Sequence, residues 1–252
     1  MSYQTIIYEK EGNVGIITLN RPEKKNAMNQ QMNTELLQAI DEVEKDDEVK
    51  VTILTGGLEC FSTGADLSEV STSGTGLPVG PNAMEKISDM TKPIIAAISG
   101  WCVAGGLELA LCCDLRVASE AARIGDRHIR MGLIGGAGSP TRLARLVGVS
   151  KAMELILTGD IVDGKEASRI GFVNQVFPLE KLIDGAMELA KKIANNSPLA
   201  LRLSKQAVNA ATNMDEYQSL HYTQVVLNEL LASKEFKAQV TAFLEKDRIQ
   251  KK

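Results

Sequence analysis

Short apolar runs alternate with longer amphipathic stretches through the first two thirds of the chain, and the last third is amphipathic throughout. Residues 5–9 and 14–19 alternate with a period of two around Glu11-Gly12-Asn13, which predicts a hairpin. Helical spacing follows over 30–44, and Val51-Thr52-Ile53-Leu54-Thr55 is a β-branched run suited to a buried strand. Residues 93–99 form a second run of that kind, with shorter ones at 115–118 and 123–125. Strands alternating with helices imply an α/β core. Beyond Leu179 the spacing is helical, over 181–194, 199–211, 215–231 and 234–246. Such a tail cannot bury its whole apolar stripe on itself, so it predicts packing on the main body or on another subunit. The Ser/Thr/Gly/Pro-rich stretch 71–81 reads as a loop placed to cover a site.

Composition narrows the functional classes. A chain of 252 residues, 44% hydrophobic and 24% charged, can build a full core, read as residues 1–195 with a helical region over 196–252. Its net charge of −4 argues against a nucleic-acid partner, which requires a broad basic face. The start lacks a basic segment followed by an apolar one, and no apolar run is long enough to span a bilayer. That predicts a cytoplasmic protein without a membrane partner. Cys60, Cys102, Cys112 and Cys113 form no CxxC pair, and with only His128 and His221 no zinc pattern can be assembled.

Two segments carry candidate chemistry. Phe61-Ser62-Thr63-Gly64-Ala65-Asp66 and Trp101-Cys102-Val103-Ala104-Gly105-Gly106-Leu107-Glu108 each read as a strand-to-helix turn rich in small residues. Such turns leave main-chain N–H groups unshielded, and two from neighbouring strands can aim at one oxyanion. The alternative is that these glycines serve only close packing. Glu108 stands in a segment otherwise apolar, where poor hydration favours the neutral acid and the helix N-terminus opposes it. A capping role at the third helical position, with Gly105 as N-cap, is the competing reading.

These segments, taken with Asn20-Arg21-Pro22-Glu23-Lys24-Lys25-Asn26-Ala27-Met28, Lys92-Pro93-Ile94-Ile95-Ala96-Ala97-Ile98-Ser99-Gly100, Cys113-Asp114, Gly136-Ala137-Gly138, Leu157-Thr158-Gly159 and Phe243-Leu244-Glu245-Lys246, resemble the crotonase, or enoyl-CoA hydratase/isomerase, superfamily over nearly the whole length. The resemblance implies an α/β spiral of ββα units with a C-terminal helical trimerisation region, assembled as a homotrimer or a dimer of trimers. It implies an acyl-CoA thioester substrate, no metal and no cofactor beyond the substrate's own coenzyme A. Matched residue by residue, Ala65 and Gly105 supply the oxyanion hole and Glu108 the first of two catalytic glutamates. Lys24, Ala27, Thr63, Asp66, Leu67, Phe243 and Lys246 fall at coenzyme A-contacting positions, where a solvated charge run is the alternative for the lysines.

The chain departs from the family at the second glutamate. Ile124-Gly125-Asp126-Arg127-His128-Ile129-Arg130-Met131-Gly132-Leu133 places His128 there, and Gly135 stands where many members carry proline. Imidazole titrates near neutrality, so Glu108 and His128 are read as sharing the acid–base work, against the alternative of a satisfied polar residue among Asp126, Arg127 and Arg130. The implied activity is a lyase, an enoyl-CoA hydratase of fatty acid metabolism. Other thioester-enolate chemistry (hydrolase, decarboxylase, dehalogenase or isomerase) and a catalytically silent acyl-CoA binder are the alternatives; a pure isomerase is disfavoured, because those enzymes keep the second glutamate. Two motifs are set aside. Gly159-Asp160-Ile161-Val162-Asp163-Gly164-Lys165-Glu166 has Glu where a P-loop needs Ser or Thr, and Ser139-Pro140 after the glycine run reads as an N-cap with proline at N1.

Overall fold

The structure is a computed structural model and describes residues 3–69 and 82–250. Its frame is a six-stranded sheet of β1 (Ile6–Glu11), β2 (Val14–Leu19), β3 (Val51–Thr55), β4 (Ile94–Ile98), β6 (Leu115–Ser119) and β8 (Gln175–Phe177), in that spatial order. β1 and β2 pair antiparallel, from Ile6 opposite Leu19 to Glu11 opposite Val14, and Gly12 takes the positive φ of 58° that this tight hairpin requires. All the other pairs of the sheet are parallel.

Period-two alternation sends successive side chains to opposite faces. From β4, Ile94, Ala96 and Ile98 enter one core, whereas Ile95 and Ala97 enter another. The first core receives α1 (Gln30–Lys45) through Met32, Leu36, Ala39, Ile40 and Val43, one face at helical spacing. Asn29 caps that helix by accepting from the Met32 N–H. The second core is closed by α7 (Leu182–Ala194), through Leu182, Ala186, Met187, Ala190 and Ala194. Between α1 and α7 in the chain lie α2 (Ala83–Ser88), α3 (Gly105–Cys112), α4 (Ser139–Val147), α5 (Val149–Thr158) and α6 (Gly164–Arg169).

After β4 the chain does not pass straight into a helix, as the sequence suggests. It turns at Gly100, where a Cβ would lie 2.0 Å from the Glu59 carbonyl oxygen, and enters β5 (Trp101–Val103). β5 leaves the main sheet and pairs in parallel with β7 (Arg123–Gly125). Trp101 packs there under Arg123, whose guanidinium carbon is 4.9 Å from its ring centroid. The segment around Ser62 bridges to Cys102 of β5, so both amide-bearing turns rise from this second, smaller layer.

The last helices are α8 (Pro198–Ala211), α9 (Glu216–Ala232) and α10 (Lys234–Gln250). Lys205 ties α8 to the body through Asp114 at 2.7 Å and the Lys92 carbonyl at 3.1 Å. Leu203 is buried on α8 and Val226 on α9, whereas Tyr217, Leu220, Leu227 and Leu231 remain exposed. No helix of the described residues is long and apolar enough to cross a membrane.

Candidate active site

The geometry of the two turns follows from what their neighbours are bonded to. Met28 and Ala65 form a parallel bridge in which the Met28 N–H donates to the Gly64 carbonyl at 2.7 Å and the Asp66 N–H donates to the Met28 carbonyl at 2.9 Å. Ala65's own N–H is thereby turned to the opposite side, and it donates to no described residue. Gly105 is the first residue of α3, so its N–H has no partner within the helix, and it too donates to no described residue. Its direction is set by Ala104, the N-cap, held at φ 51° and ψ −122°. The turns abut: a Cβ on Gly64 would lie 2.7 Å from the Gly105 nitrogen, and one on Gly105 would lie 3.4 Å from the Ala65 nitrogen. Two unspent donors therefore sit side by side at the positive end of a helix dipole.

Glu108, 4% exposed, lies one turn along α3. With Ala104 as N-cap it occupies the fourth helical position, so the capping alternative does not describe it. Its Oε1 accepts the N–H groups of Ala137, in the glycine-rich turn before α4, at 2.8 Å and of Ser139, the first residue of α4, at 3.1 Å. Oε2 faces His128 Nε2 at 3.6 Å. His128 opens a short 3-10 helix, His128–Met131, directly after β7. Its Nδ1 lies 2.8 Å from Asp126 Oδ1, which also accepts the His128 N–H at 3.0 Å, while Asp126 Oδ2 accepts the hydroxyl of Ser139. Burial works against the Asp126 carboxylate, but the hydrogen bonds from His128 and Ser139 outweigh it and hold its pKa below the ordinary 3.8. The hydrogen bond that its Nδ1 makes to that carboxylate raises His128 above the ordinary 6.5, opposed by burial and supported by the charges of Asp126 and Glu108.

The chain as a whole has counterparts among known proteins. The family model described as "Enoyl-CoA hydratase/isomerase" matches residues 9–251. The chain belongs to that family. A short-chain-enoyl-CoA hydratase of Clostridium acetobutylicum is 38% identical, with 99% of this chain and 98% of that protein covered. A crotonyl-CoA hydratase of Syntrophomonas wolfei is 36% identical, with 98% and 97% covered. Among solved structures, an enoyl-CoA hydratase from Mycobacterium tuberculosis superposes with a TM-score of 0.90 at 33% identity, covering 96% of each chain. One from Bacillus anthracis gives 0.89 at 34% identity, over 96% of this chain and 97% of that one. The crotonase-type α/β fold is thus established for this family member.

The structure sets Ala65 and Gly105 side by side at the start of the helix that carries Glu108, and Glu108 faces His128. Among the residues expected to contact coenzyme A, Asp66 and Ala27 are both held by Arg21: its Nη2 pairs with Asp66 Oδ2 at 3.0 Å and its Nη1 donates to the Ala27 carbonyl at 2.6 Å, clamping the 21–27 segment to the first amide turn. The Asp66 side chain is thereby turned inward: hydrogen bonding from Ser68, opposed by burial and joined by Arg21, holds its pKa below 3.8. Thr63 donates both its N–H and its hydroxyl to the Lys25 carbonyl. Lys24 is exposed, and Leu67 is half exposed just beyond the turn. Phe243 and Lys246 belong to α10, and their side chains lie outside the described ones, as does the covering loop 71–81.

Sequence reasoning did not single out Asp126, Ala137 or Ser139 as members of the family site. Ser139 resembles an N-cap because proline follows it, but Gly138 is the N-cap and Ser139 is already helical. Its hydroxyl is used by Asp126 instead. An available signal was the joint occurrence of His128, Asp126 and a small residue at 135. A separate cleft of about 980 Å³, lined by Ser88, Cys112, Arg142 and Lys205 among others, lies toward the C-terminal end of α3 and includes none of the four site residues.

Proposed function

We propose that the protein is an enoyl-CoA hydratase that adds water across the 2,3-double bond of a short enoyl-CoA. The reading is carried by one observation: the N–H groups of Ala65 and Gly105, which donate to no described residue, lie side by side at the start of the helix whose Glu108 faces His128. A thioester oxygen seated on those donors gains negative charge as water attacks Cβ, and each preorganised donor is worth roughly 3–4 kcal/mol there. Glu108 Oε2 takes a proton from the water, whose oxygen bonds to Cβ. The imidazolium of His128 delivers a proton from Nε2 to Cα, and the enolate collapses to the thioester. The proton on Glu108 then returns to His128 across the gap between them, which restores both groups. The net change is one water added and nothing oxidised or reduced.

The reading calls for no metal or further cofactor, only the coenzyme A carried by the substrate. It places the enzyme in the cytoplasm, where free cysteines such as the four buried ones here persist. It also places three copies, or two sets of three, in the working assembly, on the strength of the exposed apolar face of α9.

Purified protein mixed with crotonyl-CoA should remove the absorbance of the conjugated thioester without releasing free thiol. Glu108→Gln should slow that loss by about 10²–10⁴-fold, the usual range for a positioned acid–base group. Turnover unchanged in that variant would reject the reading. Thiol release in place of hydration would replace it with thioester hydrolysis, which the imidazole at position 128 makes the next reading to test.

A further inference from the structure

Two acid–base groups are useful only if their orientations are fixed relative to each other. Here a single residue touches the supports of both. Ser139 donates its N–H to Glu108 Oε1 at 3.1 Å and its hydroxyl to Asp126 Oδ2, and Asp126 Oδ1 in turn receives Nδ1 of His128 at 2.8 Å. All three supports are buried: Ser139 is 0% exposed, Asp126 1% and Glu108 4%. Both oxygens of Asp126 and Oε1 of Glu108 are thus held in place, leaving Glu108 Oε2 and His128 Nε2 to face one another at 3.6 Å. Gly135 completes the arrangement, because a Cβ there would lie 2.0 Å from the Ser139 hydroxyl and 2.9 Å from Glu108 Oε1.

We propose that Asp126 and Ser139 are positioning residues of this site, which lock His128 with its proton on Nδ1 and its Nε2 toward the substrate and bind the histidine and Glu108 into one unit. The inference rests on the hydratase reading but goes beyond it, since it concerns how a histidine serves at a position where the family resemblance expects glutamate. An Asp–His hydrogen bond fixes the tautomer and favours the imidazolium. The charged groups against His128 are Asp126 before it and Glu108 from α3; Ser139 of α4 reaches it through Asp126, and of the arginines adjacent in sequence, Arg127 and Arg130, the latter pairs with Asp160 at 3.4 Å. The sign follows. Imidazolium is the proton donor, so hydration falls as pH rises through the His128 pKa, and weakening the Asp126 contact moves that fall to lower pH.

The test exploits the two histidines of the chain. Nitrogen-15 imidazole spectra with His221→Gln for assignment read the pKa and tautomer of His128 directly, beside hydration rates over pH 5.5–9 and thermal melts. In Asp126→Asn the His128 pKa should drop by about 1–3 units, and the alkaline limb of kcat should move with it while KM stays within about twofold. Ser139→Ala should retain the fold, weaken the Nδ1 tautomer preference and lower kcat about 3–10-fold, the loss of one buried hydrogen bond. A His128 titration indifferent to both substitutions in folded protein overturns the proposal, as does a kcat limb that stays in place while the His128 pKa moves. Hydration undiminished in His128→Gln is a different failure: it removes the acid–base reading itself, whereas the spectra still report whether Asp126 and Ser139 orient the ring.

Discussion

Ala104 adopts a backbone conformation, φ 51° and ψ −122°, that glycine enters freely and an L side chain rarely does. The strain is of order 1–3 kcal/mol, and it persists because the next peptide must present the Gly105 N–H beside that of Ala65. Lys25 and Asn26 also hold positive φ, at 50° and 53°, and Asn26 is secured by bonds to the Gly56 and Cys60 carbonyls and from the Arg21 N–H. No such side-chain bond supports Ala104, so it is the position where relief is readable. Ala104→Gly should raise the melting temperature by about 2–4 °C, corresponding to a net gain of about 1 kcal/mol in a chain of this size, with hydration within about threefold of the parent. A lower melting temperature would show that the Ala104 methyl packs more favourably than its backbone is strained.

At the scale of elements, the site depends on the turn between the 3-10 helix at 128–131 and α4 being brought against α3. Gly135 allows that approach for a steric reason: its φ is not in the left-handed region, and what excludes a side chain is the Ser139 hydroxyl. Gly135→Ala alone should therefore cost about 1–3 kcal/mol by overpacking. In the Gly135→Ala/Ser139→Gly pair the loss should be smaller than the sum of the single losses, a coupling that thermal or urea unfolding of the four proteins measures. Additive losses would mean that the two residues do not share the space.

The same turn shows what could be read in advance. Continuous β-branched runs such as Val51-Thr52-Ile53-Leu54-Thr55 identify strands because burial on two faces leaves a one-dimensional pattern, and Glu108 is legible as a lone acid on an apolar helix. The Ser139–Asp126 contact leaves no such pattern. It joins two short polar residues thirteen positions apart whose local contexts, a Ser-Pro helix start and a charged loop, are each explained without the other. β5 was hidden for a related reason, since a three-residue strand after a glycine turn is too short for periodicity to register.

For the whole molecule, the contrast between the two ends of the helical region is informative. α7 buries one full face on the sheet, whereas α9 has Val226 as its buried residue and leaves Tyr217, Leu220, Leu227 and Leu231 exposed at 72%, 60%, 40% and 42%. Those four fall at spacings of three, seven and four, a single stripe along the helix. An apolar stripe of this length is costly against water at roughly 25 cal/mol per Å², and a second copy of the chain is the occupant that the family resemblance supplies. Sedimentation should therefore find the protein at three or six times the mass of one chain. Leu220→Asp combined with Leu227→Asp should shift it toward the monomer, because a carboxylate buried in an apolar contact carries a desolvation cost of several kcal/mol. The monomer should keep its sheet and its Glu108–His128 pair, which are built from residues before α8, so its far-ultraviolet dichroism should stay close to the parent's. An assembly of unchanged mass in the double variant would place the contact on another face.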